Sequence, residues 1–120
     1  MKIVAIQSSP NHEGLTSNLA QAVLNGAEDH GGTTELVHLT DLNIKTCIAC
    51  VSGWGNCRTE GTCILEDDFQ ALREKITKAD FLIFATVYWG DLSESAKTFL
   101  DRLQHVERGR ILRLLKVNGL

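Results

Sequence analysis

Lys2-Ile3-Val4-Ala5-Ile6-Gln7-Ser8-Ser9-Pro10-Asn11-His12-Glu13-Gly14-Leu15-Thr16-Ser17-Asn18 reads as a strand, a polar loop and the start of a helix. The unbroken apolar run Ile3 to Ile6 suits a strand buried on both faces, as in a parallel sheet. Leu15, Leu19, Ala22, Val23 and Ala27 then recur at helical spacing, and Gly31-Gly32 ends that helix. The loop between strand and helix is rich in hydroxyl, amide and glycine residues. At a helix start it offers free backbone amides, Ser, Thr and Asn donors and the positive end of the helix dipole, which together suit a phosphate group. A helix cap alone needs only one or two of these donors.

Outward from that stretch, Thr33 to Leu39 predicts a second strand, and a long loop from Thr40 to Glu66 carries all four cysteines. Asp67 or Asp68 caps a helix with Phe69, Leu72 and Ile76 on its inner face, and Ala79 to Thr86 gives a strongly apolar third strand. Val87-Tyr88-Trp89-Gly90-Asp91 follows, and Ser93 or Ser95 opens a helix with Ala96, Phe99, Leu100 and Leu103 on one face. The order β-α-β-loop-α-β-α predicts an α/β fold, a doubly wound parallel sheet in three layers with right-handed crossovers. With strand order 2-1-3, the loops after the first and third strands meet where the order reverses, at the carboxyl ends of the strands, where such sheets bind ligands. A phosphate on the first loop and a flat ring system beside Tyr88, Trp89 and Gly90 describe flavin mononucleotide (FMN).

The chain has 120 residues, a formal net charge of -3, 22% charged and 43% hydrophobic residues. That bounds one ordinary globular domain and gives no basic surface for nucleic acid. The apolar run near Met1 is too short for a signal peptide or a membrane span, so the expectation is a cytoplasmic protein with no membrane partner. Cys47, Cys50, Cys57 and Cys63 are spaced C-x2-C-x6-C-x5-C. In a reducing compartment such a cluster suits metal binding or redox chemistry better than a disulfide framework, with free or reversibly paired thiols and simple burial as the other readings. Four thiolates suffice for a [4Fe–4S] cluster or a tetrahedral zinc ion. His12, His30, His38 and His105 have no spacing that marks a metal triad and read as surface residues. No P-loop GKS or GKT, no Cys-x5-Arg phosphatase loop, no G-x-G-x-x-G fingerprint and no G-x-S-x-G elbow occurs.

The motifs Ser9-Pro10-Asn11-x-x-Gly14-x-Thr16, Asp41-Leu42-x-Ile44-x-x-Cys47-Ile48-x-Cys50, Asp67-Asp68-Phe69 and Val87-Tyr88-Trp89-Gly90 resemble the flavodoxin-like NAD(P)H-dependent FMN reductases, including their iron-sulfur flavoprotein branch. The resemblance runs from Met1 to about Arg102. It implies a homo-oligomeric flavoprotein in which reduced nicotinamide passes hydride to FMN, which then reduces a quinone, free flavin, metal or other small-molecule acceptor. Carried over by position, Ser9, Asn11, Gly14, Thr16, Ser17 and Asn18 hold the phosphate, and Tyr88, Trp89, Gly90 and Asp91 border the isoalloxazine ring. No catalytic acid or base is assigned.

Three departures carry expectations of their own. The family's Thr-Pro-Val-Tyr loop lacks its proline after Thr86, which predicts that Tyr88 and Trp89 shift in register against the first loop by up to about 3.5 Å. Gly53 stands about where the iron-sulfur branch places its third cysteine. The fourth and fifth strands are missing, which predicts an incomplete flavodoxin-like domain over residues 1–105, an exposed third-strand edge, and a basic amphipathic tail over 106–120 that continues a helix, adds a strand or has no native role. Beside the FMN-dependent oxidoreductase stands a reading from another class, a non-catalytic remnant or four-cysteine metal module.

Overall fold

The computed structural model describes residues 1–87 and 90–117, of which 112–117 by backbone alone. β1 (Lys2–Gln7) pairs in parallel with β2 (Thr33–His38) on one side and β3 (Phe81–Ala85) on the other, in the order β2-β1-β3. The register sets Ile6 opposite both Val37 and Phe84. β1 is central because its side chains are apolar on both faces, and they divide by strand alternation. Ile3 and Ala5 face α1 (Leu15–Asp29), while Val4 and Ile6 face α4 (Phe69–Lys78) and α5 (Glu94–Val117). Two crossovers leaving β1 in opposite directions, both right-handed, must put their helices on opposite faces. The result is the expected three-layer α/β/α arrangement.

The two faces are built differently. The α1 side is an aliphatic layer of Ile3, Ala5, Ala20 and Leu24, in which the two alanines let the helix approach the sheet closely. The other side is thick and aromatic, with Phe99 between Phe69 and Phe84 at ring-centroid distances of 5.9 and 6.2 Å.

The sequence periodicity misjudged the phase of α1. Its buried residues are Ser17, Ala20 and Leu24, and the expected inner residues Leu15, Leu19 and Val23 stand exposed. Both stripes are apolar enough to satisfy helical spacing, and the direction in which the loop from β1 delivers Gly14 selects the one with small residues. Gly31, at φ 86°, supplies the left-handed residue that ends the α1 segment.

The cysteine segment is not a plain loop. After a 3-10 turn, η1 (Leu39–Asp41), it forms two single-turn elements, α2 (Cys50–Gly53) and α3 (Asn56–Thr59). Around α2 the chain is strained, with Ala49, Val51 and Ser52 all at φ between 48 and 54°. For β-branched Val51 that is a rare conformation. α3 docks on α5 backbone to backbone at Gly109, where a Cβ would collide with the Cys57 carbonyl oxygen. α5 itself passes residue 106 without a break, so of the three forms expected for the tail the continued helix is the one adopted as far as Val117.

Candidate functional site

The loops after β1 and β3 meet at the carboxyl edge of the sheet, and Ser8 joins them. Its amide donates to the Ala85 carbonyl at 3.0 Å and its hydroxyl donates to Thr86 Oγ1 at 3.0 Å. That hydroxyl also accepts from the Val87 amide at 3.3 Å and from Ser93 Oγ at 3.0 Å, while Ser95 Oγ donates to the Ser8 carbonyl at 3.2 Å. Ser8 thus ties the two loops together as far as Val87; the shift expected of Tyr88 and Trp89 falls outside the described residues. Ser8 and Thr86 were not among the site residues expected from the sequence, and Ser93 and Ser95 were expected only to open the last helix; the clue to all four was the hydroxyls at both strand ends.

The phosphate-type loop is held from beneath. Buried Gln7 accepts the Ser9 amide at 2.8 Å and donates to the Ser9 carbonyl at 3.0 Å, and its amide also meets His38 Nδ1 at 2.7 Å. His12 stacks on His38 at 3.9 Å and pairs with Asp41 at 2.8 Å, tying the loop to the end of β2. Ser9 Oγ accepts the Asn11 amide, and Asn11 Oδ1 accepts the Glu13 amide. Gly14 is the N-cap of α1 and has no side-chain cap, so the first-turn amides are not claimed by a capping side chain. A Cβ on Gly14 would stand 2.9 Å from Asn11 Nδ2, so the Asn11 side chain closes over a glycine.

Of the expected phosphate residues, Asn11 and Asn18 are exposed, Gly14 and Thr16 are half-buried, and Ser9 and Ser17 are buried. Ser17 belongs to the inner face of α1 and points to the sheet. On the second loop, Gly90 has φ 83° with open space where a Cβ would be. Asp91 turns away to an exposed ion pair with Lys97, and the hydrogen bond from Lys97 holds its carboxyl below the ordinary value. Tyr88 and Trp89 lie outside the described residues.

All four cysteines line one cavity of about 30 Å3, together with Arg102, His105, Ile48, Leu65 and Val106. The long spacer after Cys50 folds back through the left-handed turn and α3, so Cys57 reaches the cavity that Gly53 does not. All four thiols are free. Burial, then the neighbouring Cys50, Cys47 and Cys63, push the Cys57 thiol above its ordinary value. The Ala49 amide donates to Cys47 Sγ at 3.4 Å, and a Cβ on Gly55 would collide with Cys50 Sγ.

His105 keeps a partly exposed side chain, as expected of a surface residue, and it also lines the cysteine cavity. Its ring, Asp101 and Cys47 bring donor atoms within 4.8 Å of one another. No spacing could reveal this, because Cys47 and His105 are brought together only when α5 packs on the cysteine segment.

A parallel sheet in order 2-1-3 with its polar loops at the carboxyl edge defines a flavodoxin-like α/β protein. The chain belongs to the NADPH-dependent FMN reductase family, whose model matches residues 1–119. It is 35% identical over 120 residues to an iron-sulfur flavoprotein of Methanocaldococcus jannaschii, covering 99% of this chain and 60% of that protein. It is 34% identical over 104 residues to an iron-sulfur flavoprotein of Archaeoglobus fulgidus, covering 86% of this chain and 46% of that one. The chain thus spans about half to three-fifths of the length of these relatives. Its fold also matches RosB, solved with bound 8-demethyl-8-formylriboflavin-5'-phosphate, at a TM-score of 0.70 and 23% identity over 87% of this chain and 42% of that one. Among the described residues no helix is long and apolar enough to cross a membrane.

Proposed function

We propose that this chain is the FMN-binding part of an NAD(P)H-dependent oxidoreductase that carries a [4Fe–4S] cluster on Cys47, Cys50, Cys57 and Cys63. The observation that carries the flavin reading is the pair of loops joined through Ser8 where the strand order reverses, beside the uncapped first turn of α1. Asn11, Thr16 and Asn18 offer side-chain donors around those amides, Ser9 and Gln7 hold the loop in shape, and Ser17 sets the helix on the sheet. Gly90 leaves room for a ring to approach the backbone. Bound FMN would supply hydride acceptance from reduced nicotinamide and onward reduction of a quinone, flavin or other small acceptor. Family membership supports a flavin-dependent oxidoreductase. The donor, the acceptor, a homo-oligomeric assembly and a cytoplasmic setting, where free thiols persist, belong to the proposal.

The cluster reading draws on four thiols around one partly open, largely apolar cavity. Zinc would need its sulfurs about 3.8 Å apart, from Zn–S bonds of about 2.3 Å. Among the described residues the three-membered donor set within 4.8 Å is Cys47, Asp101 and His105, not a set of thiols. A second reading, a four-cysteine metal module without flavin chemistry, rests on the same cavity.

Anaerobic purification and reconstitution with iron, sulfide and FMN, followed by absorbance, metal and flavin analysis, separates these readings. The expected result is retained flavin that bleaches on addition of reduced nicotinamide. Asn11→Ala and Thr16→Ala should each weaken FMN binding by roughly tenfold, the loss of one hydrogen bond to a charged group. Iron with no flavin retention would leave the metal module standing and overturn the oxidoreductase.

A further inference from the structure

Arg102 is the most deeply buried charged residue in the described chain, 2% exposed, on the face of α5 that walls the cysteine cavity. Its Nη1 donates to Asp67 Oδ2 at 2.6 Å and to the Lys45 carbonyl at 3.1 Å, and Phe69 packs its ring 4.4 Å from Cζ. Its Nη2 donates to Cys63 Sγ at 3.3 Å, and its Nε has no partner. The ion pair with Asp67 would by itself account for a buried cation. It does not account for a guanidinium N–H aimed at sulfur. A thiol is a poor acceptor and a thiolate a good one, so the contact gains strength when Cys63 serves as an anionic metal ligand.

We propose that Arg102 sets the reduction potential of the group held by the four cysteines, through its hydrogen bond to the Cys63 sulfur and its positive charge at the cavity wall, with Asp67 as the opposing charge. This inference rests on the cluster reading above. A cluster on four thiolates is already anionic and gains a further negative charge when it takes up one electron. A fixed cation and an N–H donor to a ligand sulfur both favour the reduced form, and a nearby carboxylate opposes it. Asp67 also fixes where the guanidinium stands, because its second oxygen accepts the Phe69 amide at 3.0 Å and Oδ2 also accepts the Lys45 amide at 2.8 Å.

The test is a redox titration of the reconstituted full chain, followed by electron paramagnetic resonance, on the wild type and on Arg102→Gln, Arg102→Lys and Asp67→Asn. Arg102→Gln should lower the midpoint by about 59 mV, a tenfold change for a one-electron couple. Arg102→Lys, which keeps the charge and loses the fork, should fall between. Asp67→Asn should move the midpoint the opposite way, upward. A role confined to packing predicts shifts of the same sign in Arg102→Gln and Asp67→Asn, or none, and either result overturns the proposal. If Arg102→Gln assembles no cluster, Asp67→Asn decides alone: an upward shift supports the assignment, and an unchanged or lower midpoint sinks it. A wild type that takes up no iron and sulfide overturns the cluster reading and this inference together, and metal analysis tells that failure from a cluster whose potential ignores Arg102.

Discussion

Gly109 and Gly26 show at the residue scale how context decides the same substitution. An alanine at Gly109 would thrust its Cβ into the Cys57 carbonyl, forcing α3 off α5, whereas nothing lies within 4 Å of a Cβ at Gly26 in mid-helix. Gly109→Ala should therefore destabilise by about 3 kcal/mol, and Gly26→Ala should stabilise by about 0.5–1 kcal/mol. Urea denaturation of the two variants should move in opposite directions. Asp67 carries a pH signature as well. Burial opposes its ionisation, but the hydrogen bonds from Arg102 and from the Lys45 and Phe69 amides outweigh it and hold the carboxyl below the usual range. Because the folded value is the lower one, the unfolded chain binds the proton more readily. The stabilisation is complete above the unfolded carboxyl value of about 3.9 and is lost as pH falls from there through the folded value. Asp67→Asn should flatten that acid limb in stability-against-pH curves; an unchanged limb would show that Asp67 does not govern it.

At the scale of elements, the junction of the two loops depends on one hydroxyl. Ser8→Ala would leave the part-buried Val87 amide without its acceptor and remove the stronger of the Ser93 hydroxyl's contacts. A cost of about 1–3 kcal/mol follows. If the loops form one site, FMN affinity should drop in the same variant, and calorimetry of FMN binding beside chemical denaturation measures both. Stability lost with affinity intact would separate the junction from the site. α1 adds a second lesson, since it carries two apolar stripes and buries only the one built from small residues.

Over the whole molecule, the radius of gyration is 15.8 Å, against about 13.6 Å for a compact chain of this length. α5, with 24 residues and a rise of ~1.5 Å per residue, accounts for much of the long axis. Among the described residues, apolar surfaces stay open on the Leu15-Leu19-Val23 stripe of α1, on the cysteine segment at Ile48, Val51 and Trp54, and at the β3 edge, where Phe81 is 58% exposed. A parallel edge strand of that composition invites association. Phe81→Lys combined with Leu19→Lys should lower the apparent mass seen by light scattering on size-exclusion chromatography. No change would mean that any assembly uses other surfaces.

The strands, their order and the two loops at the sheet's carboxyl edge were legible in the sequence, because an apolar run, a polar glycine-bearing loop and helical spacing are local signals. The phase of α1 was not legible, since spacing states that a stripe exists and not which of two will meet the sheet. Nor was the site's internal wiring. Arg102 meets Asp67 and Cys63 across 35 and 39 residues, and Ser93 meets Ser8 across 85. His105 joins Cys47, and Gly109 receives α3, only because α5 crosses the cysteine segment. Those contacts exist through the packing of elements distant in the chain, and packing geometry, unlike local propensity, leaves no periodic trace in the residues that it brings together.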